Sequence, residues 1–202
     1  MIAAVHVTGT SLIRVHSEGY KLFEINADEL EKVPEEENTT KALIRGVVNA
    51  FTQLGAKVSG FDVAITSSVL RGSGISSSAA FEVLFGNIVN HLFFRDQADA
   101  VKIARIGQYA ENVYFGKPSG LMDQMASSVG NLLTIDFEDP ANPVVTKLDV
   151  DFDQTKLALC IIDSGADHAD LTDEYAAVPG EIKKICSLLG KDVSAEYCPC
   201  GL

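Results

Sequence analysis

Apolar and polar positions alternate through the first third of the chain in a way that predicts short strands flanking one amphipathic helix. Leu12-Ile13-Arg14-Val15-His16 and Tyr20-Lys21-Leu22-Phe23-Glu24-Ile25 are separated by Ser17-Glu18-Gly19, a pattern that predicts an antiparallel hairpin. Asn38 or Thr39 can cap a helix whose apolar positions Leu43, Ile44, Val47, Val48, Phe51 and Leu54 follow the helical period, and Gly55 stops it. Phe61-Asp62-Val63-Ala64-Ile65-Thr66 then alternates at period two as a strand. From Ser78 onward Phe81, Leu84, Phe85, Ile88, Val89 and Leu92 form a wide apolar face, which predicts a substantially buried helix. A further helix is expected from about Gln97 to Tyr114, followed by Gly116-Lys117-Pro118-Ser119-Gly120, a loop by composition. Another helix begins near Gly120 with Leu121-Met122-Asp123-Gln124-Met125, and strands are expected at Leu132 to Phe137, Val144 to Val150 and Leu157 to Asp163. Ala169 to Leu189 reads as a helix, with a kink or break at Pro179 and Gly180. No regular strand-helix-strand repeat emerges, so the pattern fits a mixed α+β class better than a doubly wound sheet.

With 202 residues, 47% of them hydrophobic, the chain can bury a core. Its formal charge of -12 argues against a nucleic-acid or anionic-membrane surface, and no apolar run is long enough to span a bilayer. Glu24, Asp28, Glu29, Glu31, Glu35, Glu36 and Glu37 carry part of the acidic excess, and a solvated loop or strand edge accounts for them. Cys160, Cys186, Cys198 and Cys200 lack a zinc spacing, and Cys160, within Leu157 to Ile162, reads as a small buried side chain. No signal peptide is evident at Met1 to Val7, so a reduced, cytoplasmic protein is expected.

The chemistry concentrates at Arg71-Gly72-Ser73-Gly74-Ile75-Ser76-Ser77-Ser78-Ala79-Ala80, where a glycine- and serine-rich turn runs into the buried helix. Glycines let backbone amides approach an anion closely, and a helix N-terminus favours negative charge, so the stretch reads as a phosphate cradle. An ordinary serine-capped helix is the competing explanation. No Lys lies between 71 and 80, which disfavours a Walker loop; position 77 is Ser rather than Gly or Ala, which disfavours a dinucleotide fingerprint. A nucleophile elbow fails at Ser78, where Gly is required.

This turn resembles the second signature motif of the GHMP small-molecule kinases, and two further blocks narrow the resemblance to the galactokinase family. Gln108-Tyr109-Ala110-Glu111-Asn112 followed by Gly116 to Gln124 is similar to the family's Ala-Glu and Gly-Ile-Met-Asp-Gln blocks. Asp163-Ser164 through His168 to Asp173-Glu174-Tyr175 is similar to its Asn-Ser block ending in Ser-Glu-Tyr. The resemblance implies ATP and galactose as substrates, with Gly72, Ser73, Gly74, Ile75, Ser76, Ser77, Ser78 and Ala79 around the nucleotide phosphates. It further implies Mg²⁺ held by Ser78 and Glu111, Asp123 as the base that deprotonates the attacking sugar hydroxyl, and Gly120, Asp123 and Tyr175 as sugar contacts. Without the family, Glu111 and Asp123 are ordinary helix residues, Asp123 a favourable first-turn acid, and Tyr175 a core residue. His168 receives no chemical role.

The family's first motif, which binds the sugar, and its third, a glycine-rich loop over the nucleotide, have no counterpart in this sequence. The chain therefore resembles the central half of a galactokinase. The expected organisation is a GHMP N-terminal domain of ribosomal-protein-like β-α-β fold over residues 1–153, lacking its first strands, and the incomplete start of a ferredoxin-like α+β C-terminal domain over residues 154–202. Little or no turnover is expected of such a fragment, and its exposed C-terminal part invites a homodimer. A non-catalytic galactose- and ATP-sensing regulator, or a GHMP kinase for another sugar, is the alternative.

Overall fold

Strand β4 (Phe61–Thr66) is the element from which the rest of the fold is placed: it lies inside a four-stranded sheet and leads toward the glycine-serine turn. On one side it pairs antiparallel with β1 (Ile2–Val7); on the other it runs parallel to β2 (Leu12–Ser17), which pairs antiparallel with β3 (Phe23–Asn26). The hairpin expected over residues 12–25 is the β2–β3 pair, with Ile13 opposite Ile25. This computed structural model describes residues 1–69, 74–139, 141–155, 157, 158, 160, 162 and 172–190.

Period-two alternation decides which face of the sheet is dry. Ile13, Val15, Ile25, Phe61, Val63 and Ile65 point into the core, whereas Arg14, His16 and Ala64 are exposed. On the open face Arg14 donates from Nε and Nη2 to the two Asp62 carboxylate oxygens at 2.6 and 2.9 Å. The buried face is covered by α1 (Thr40–Gln53) and α2 (Ser77–Phe93), whose Ile44, Val47, Val48, Phe51, Phe85 and Val89 join the same cluster. Thr39 caps α1 as expected: its side chain accepts from the Ala42 amide.

Two long segments behave differently from their sequence patterns. The helix expected from about Gln97 to Tyr114 is split: α3 spans Ala100–Tyr109, capped by Asp99, and continues as one stretch of π-helix over Ala110–Phe115. A close helix crossing accompanies the wider turn. A Cβ on Gly46 of α1 would lie 2.8 Å from both Cα and Cβ of Ala110, so glycine is required for the two backbones to approach this closely. Beyond it, α4 (Met122–Val129) and the hairpin β5 (Leu132–Asp136) and β6 (Val144–Leu148) enclose a smaller core of Ala104, Leu121 and Met125.

The strand expected over Leu157 to Asp163 is absent at its described positions 157, 158, 160 and 162. Leu157 and Ile162 are 70% and 88% exposed, and Cys160, expected to be buried, is exposed as well. No neighbouring strand pairs with these residues among those described, and an extended segment without a ladder leaves its backbone to water. After the short α5 (Phe152–Thr155), α6 (Thr172–Leu188) runs through Pro179 and Gly180 without the expected break. A proline removes one backbone hydrogen bond, and burial does not account for the continuity, since Val178, Ile182 and Ile185 beside it are exposed.

The acidic run near residue 36 also departs from a purely solvated one. Glu36 accepts from Arg45 Nε and Nη2, both at 2.8 Å, and Arg45 is buried while reaching the Glu29 carbonyl as well. The pair holds the guanidinium's charge inside the fold, and its hydrogen bond to Arg45 keeps the Glu36 carboxyl below the usual carboxylate range.

Candidate active site

The glycine-serine turn, the π-helical segment and the start of α4 converge at the N-terminus of α2. Ser76 precedes the first helical residue in the left-handed region, φ 57° and ψ 49°, a conformation that non-glycine residues rarely adopt. It is not a serine cap, since its side chain makes no hydrogen bond to the helix amides. The hydroxyl instead donates to Asp123 Oδ2 at 2.6 Å. The amides of Ser77, Ser78 and Ala79, in the first turn, have no intrahelical acceptor and no such cap, so they retain donors for an anion. Gly74 and Ile75 are exposed beside them, whereas Gly72 and Ser73 lie outside the described residues.

Two residues beyond Ser76, within the same first turn, Ser78 donates to Glu111 Oε1 at 3.3 Å. Glu111 belongs to the π-helix and is 3% exposed; Lys117 Nζ stands 3.7 Å from the same Oε1. The other oxygen, Oε2, accepts from Gln124 Nε2 at 2.7 Å. Gln124 Nε2 also donates to Glu82 Oε2 at 3.0 Å, so both amide protons are used between two buried acids. Glu82 and Gln124 are each 1% exposed, and Glu82 Oε1 and Gln124 Oε1 have no hydrogen-bond partner. Burial first, and the charge of Glu111 second, push the Glu82 carboxyl well above its ordinary range.

The loop after the π-helix is fastened rather than free. Gly116, at φ 88°, and Lys117 both donate their amides to the Glu111 carbonyl, at 3.0 and 3.2 Å. Asn112 Oδ1 then accepts from the Ser119 amide at 2.7 Å, while Gln108 Nε2 donates to the Ser119 carbonyl at 3.1 Å. This latch fixes the entry into α4, where Asp123 sits exposed in the first turn and Gln124, the next residue, points inward.

The structure thus brings Ser76, Ser78, Glu111 and Asp123 to one place and leaves Gly120 exposed on its rim. Tyr175 falls within α6, its side chain outside the described residues, and His168 lies outside them altogether. Sequence reasoning missed Gln124, Glu82 and Lys117. A signal existed for Glu82, an acid flanked by Phe81 and Val83 with no basic residue in reach along the helix.

Ser78 and Glu111 present hard oxygens side by side, the donor type that suits Mg²⁺. Among the described residues no group of three or more His, Cys, Asp or Glu gathers closely enough to cage an ion. Such a donor pair fits a cation that keeps waters and shares its coordination with phosphates, as Mg²⁺ does.

The profile of the GHMP kinases N terminal domain matches residues 42–131, which run from α1 to the end of α4 and contain every residue of the cluster. The chain belongs to the GHMP kinases. Within them it is similar to galactokinases: it is 30% identical over 194 residues to the galactokinase of Streptomyces coelicolor, covering 95% of this chain and 49% of that one. The galactokinase of Bacillus subtilis is 32% identical over 146 residues, 67% of this chain and 37% of its own length. The chain therefore spans about half the length of the curated relatives it matches. In fold it superposes on the Lactococcus lactis galactokinase solved with galactose, with a TM-score of 0.63 at 23% identity over 74% of this chain and 39% of that one.

Proposed function

We propose that this chain carries the phosphate-handling half of an ATP-dependent galactokinase, which transfers the γ-phosphoryl group to the anomeric hydroxyl of galactose. The observation that carries the reading is the convergence of Ser76 with Asp123 and of Ser78 with Glu111 on the first turn of α2. Phosphoryl transfer relies mainly on positioning and charge stabilisation, so a cradle, a cation pair and a base are the parts it needs. The amides of residues 77–79 hold phosphate oxygens against the helix N-terminus, and the exposed Gly74 lets that backbone come close. Mg²⁺, held by Ser78 and Glu111, supplies charge neutralisation when bound.

Asp123 is placed to accept a proton. Its Oδ2 already takes a hydrogen bond from the Ser76 hydroxyl, which fixes the carboxylate's direction and occupies the position a sugar hydroxyl takes on binding. Gly120, three residues earlier, leaves open space for the sugar at the mouth of the same helix. Tyr175 is assigned to the sugar by family resemblance.

Ligand binding is the primary readout for a chain of this length, and turnover the second. Calorimetric titration is expected to detect Mg-ATP binding in the 202-residue chain, where little or no turnover is expected, so galactose-dependent ADP release is to be compared between wild type and Asp123→Asn in a full-length galactokinase carrying this segment. Loss of a general base lowers turnover by about 10² to 10⁴. Equal turnover in Asp123→Asn, or no Mg-ATP binding by the wild type, would refute the proposal.

A further inference from the structure

The carboxylate of Glu111 is divided between two jobs. Oε1 faces Ser78 at 3.3 Å and Lys117 at 3.7 Å, toward the cradle; Oε2 is turned inward onto Gln124 at 2.7 Å. Gln124 spends its second amide proton on Glu82 at 3.0 Å, and this buried acid is the far anchor of the bridge. We infer that Gln124, braced by Glu82, is a positioning residue that fixes Glu111 so that Oε1 alone is offered to the cation. The inference rests on the reading of Ser78 and Glu111 as the cation-binding pair.

Three features favour this over ordinary packing. A buried glutamine can satisfy itself with backbone groups, yet here both amide protons go to carboxylates on two different helical segments. The arrangement leaves Glu82 Oε1 and Gln124 Oε1 without partners, a cost that a purely structural core avoids with apolar residues. Space for the bridge depends on Gly107 of α3, where a Cβ would stand 3.1 Å from Glu82 Oε2 and 3.2 Å from Gln124 Cγ. Gln124 is also the residue after Asp123, so the brace ties the proposed base and the proposed cation ligand to one rigid point.

Two readouts separate the brace from the kinase reading. In the ligand-free chain, ¹⁵N spectra of glutamine side chains are expected to show both Gln124 amide protons strongly protected from exchange, unlike those of the exposed Gln53, Gln97 and Gln154. Exchange at the rate of those three would overturn the bridge itself, whatever the ligand. In the second, Mg-ATP and metal-free ATP are titrated into wild type, Gln124→Met and Glu82→Gln. Removing such a partner behind a metal ligand costs about 10- to 100-fold in metal affinity, so Gln124→Met is expected to lose the affinity gain given by Mg²⁺ while metal-free ATP binds as before. Glu82→Gln, which keeps an acceptor for Gln124, is expected to retain the gain. A full Mg²⁺ gain in Gln124→Met, or equal weakening of both forms of ATP, would overturn the positioning role alone. A wild type with protected amides and no Mg²⁺ gain would overturn that role together with the kinase reading. Should Gln124→Met fail to fold, the exchange measurement and Glu82→Gln still decide, because loss of the gain in Glu82→Gln contradicts the brace.

Discussion

Gly46→Ala probes the contact that accompanies the π-helical stretch. A methyl group at position 46 would stand 2.8 Å from both Cα and Cβ of Ala110 and 3.0 Å from Tyr114 Cδ2. Two effects compete. Replacing an interior helical glycine by alanine gains about 1 kcal/mol of helix propensity. Overpacking a tight contact costs about 1–3 kcal/mol, and the upper part of that range applies because one of the two nearest atoms is backbone, which cannot rotate away. The net expectation is a loss of about 1–2 kcal/mol, or a fall in Tm of roughly 2–8 °C for a chain of this size. Urea unfolding followed by circular dichroism measures it as a lower midpoint at unchanged slope. Ala110→Gly in the Gly46→Ala background removes one of the two closest contacts and should recover part of the loss, a coupling absent if the two residues act independently. A Gly46→Ala midpoint at or above wild type would show that propensity outweighs the crossing, and the steric requirement for glycine at 46 would fail.

Two further predictions concern pH and a buried ion pair. Glu82, held above its ordinary value of 4.5 in the folded state, contributes stability that is complete below 4.5 and is lost as pH rises toward its folded value. Glu82→Gln removes that loss, so urea midpoints measured from acid to mildly basic pH should decline less steeply in the variant than in wild type; parallel profiles would contradict it. Glu36 has the opposite sign: its lowered carboxyl stabilises the fold above 4.5, and the contribution disappears as pH falls through the depressed folded value. Arg45→Met strands Glu36 and should cost about 3 kcal/mol, the low end for breaking a buried pair, because the Glu36 side chain keeps 16% of its surface in water. An unfolding midpoint unchanged in Arg45→Met would mean that solvent already screens the pair.

Local pattern sufficed where one element buries one face. The period-two alternation of residues 61–66 and the Thr39 cap before Leu43, Ile44, Val47 and Val48 place β4 and α1 within a residue or two of where they lie. Pattern failed where the cause is remote in sequence. Nothing within Ala110–Phe115 announces a wider turn, and the close neighbour there, Gly46, lies more than sixty residues earlier. Apolar composition at 157–162 suggests a strand, but a strand needs a partner, and composition does not supply one. The site divides in the same way. The glycine-serine turn, Glu111 and Asp123 were legible as a set through family resemblance, whereas Gln124 and Glu82 act through hydrogen bonds between segments that only the folded chain brings together.

The π-helical stretch also makes this site sensitive to the number of residues in the chain as well as to their kind. A π-helical turn holds about one residue more than an α-helical one, so deleting one residue between Ala110 and Phe115 would close the stretch to an even α-helix and leave the following side chains near their present directions, whereas deleting one from α3 would swing every following side chain by about 100°. Asn112 would turn away from Ser119, and the loop carrying Asp123 would lose its fastening. No single side-chain replacement reproduces such a rotation. A library of one-residue deletions across positions 100–115 should therefore read out a boundary that substitutions do not, with deletions in α3 destructive and deletions in the π-helical stretch, at Glu111 and Asn112 excepted, better tolerated.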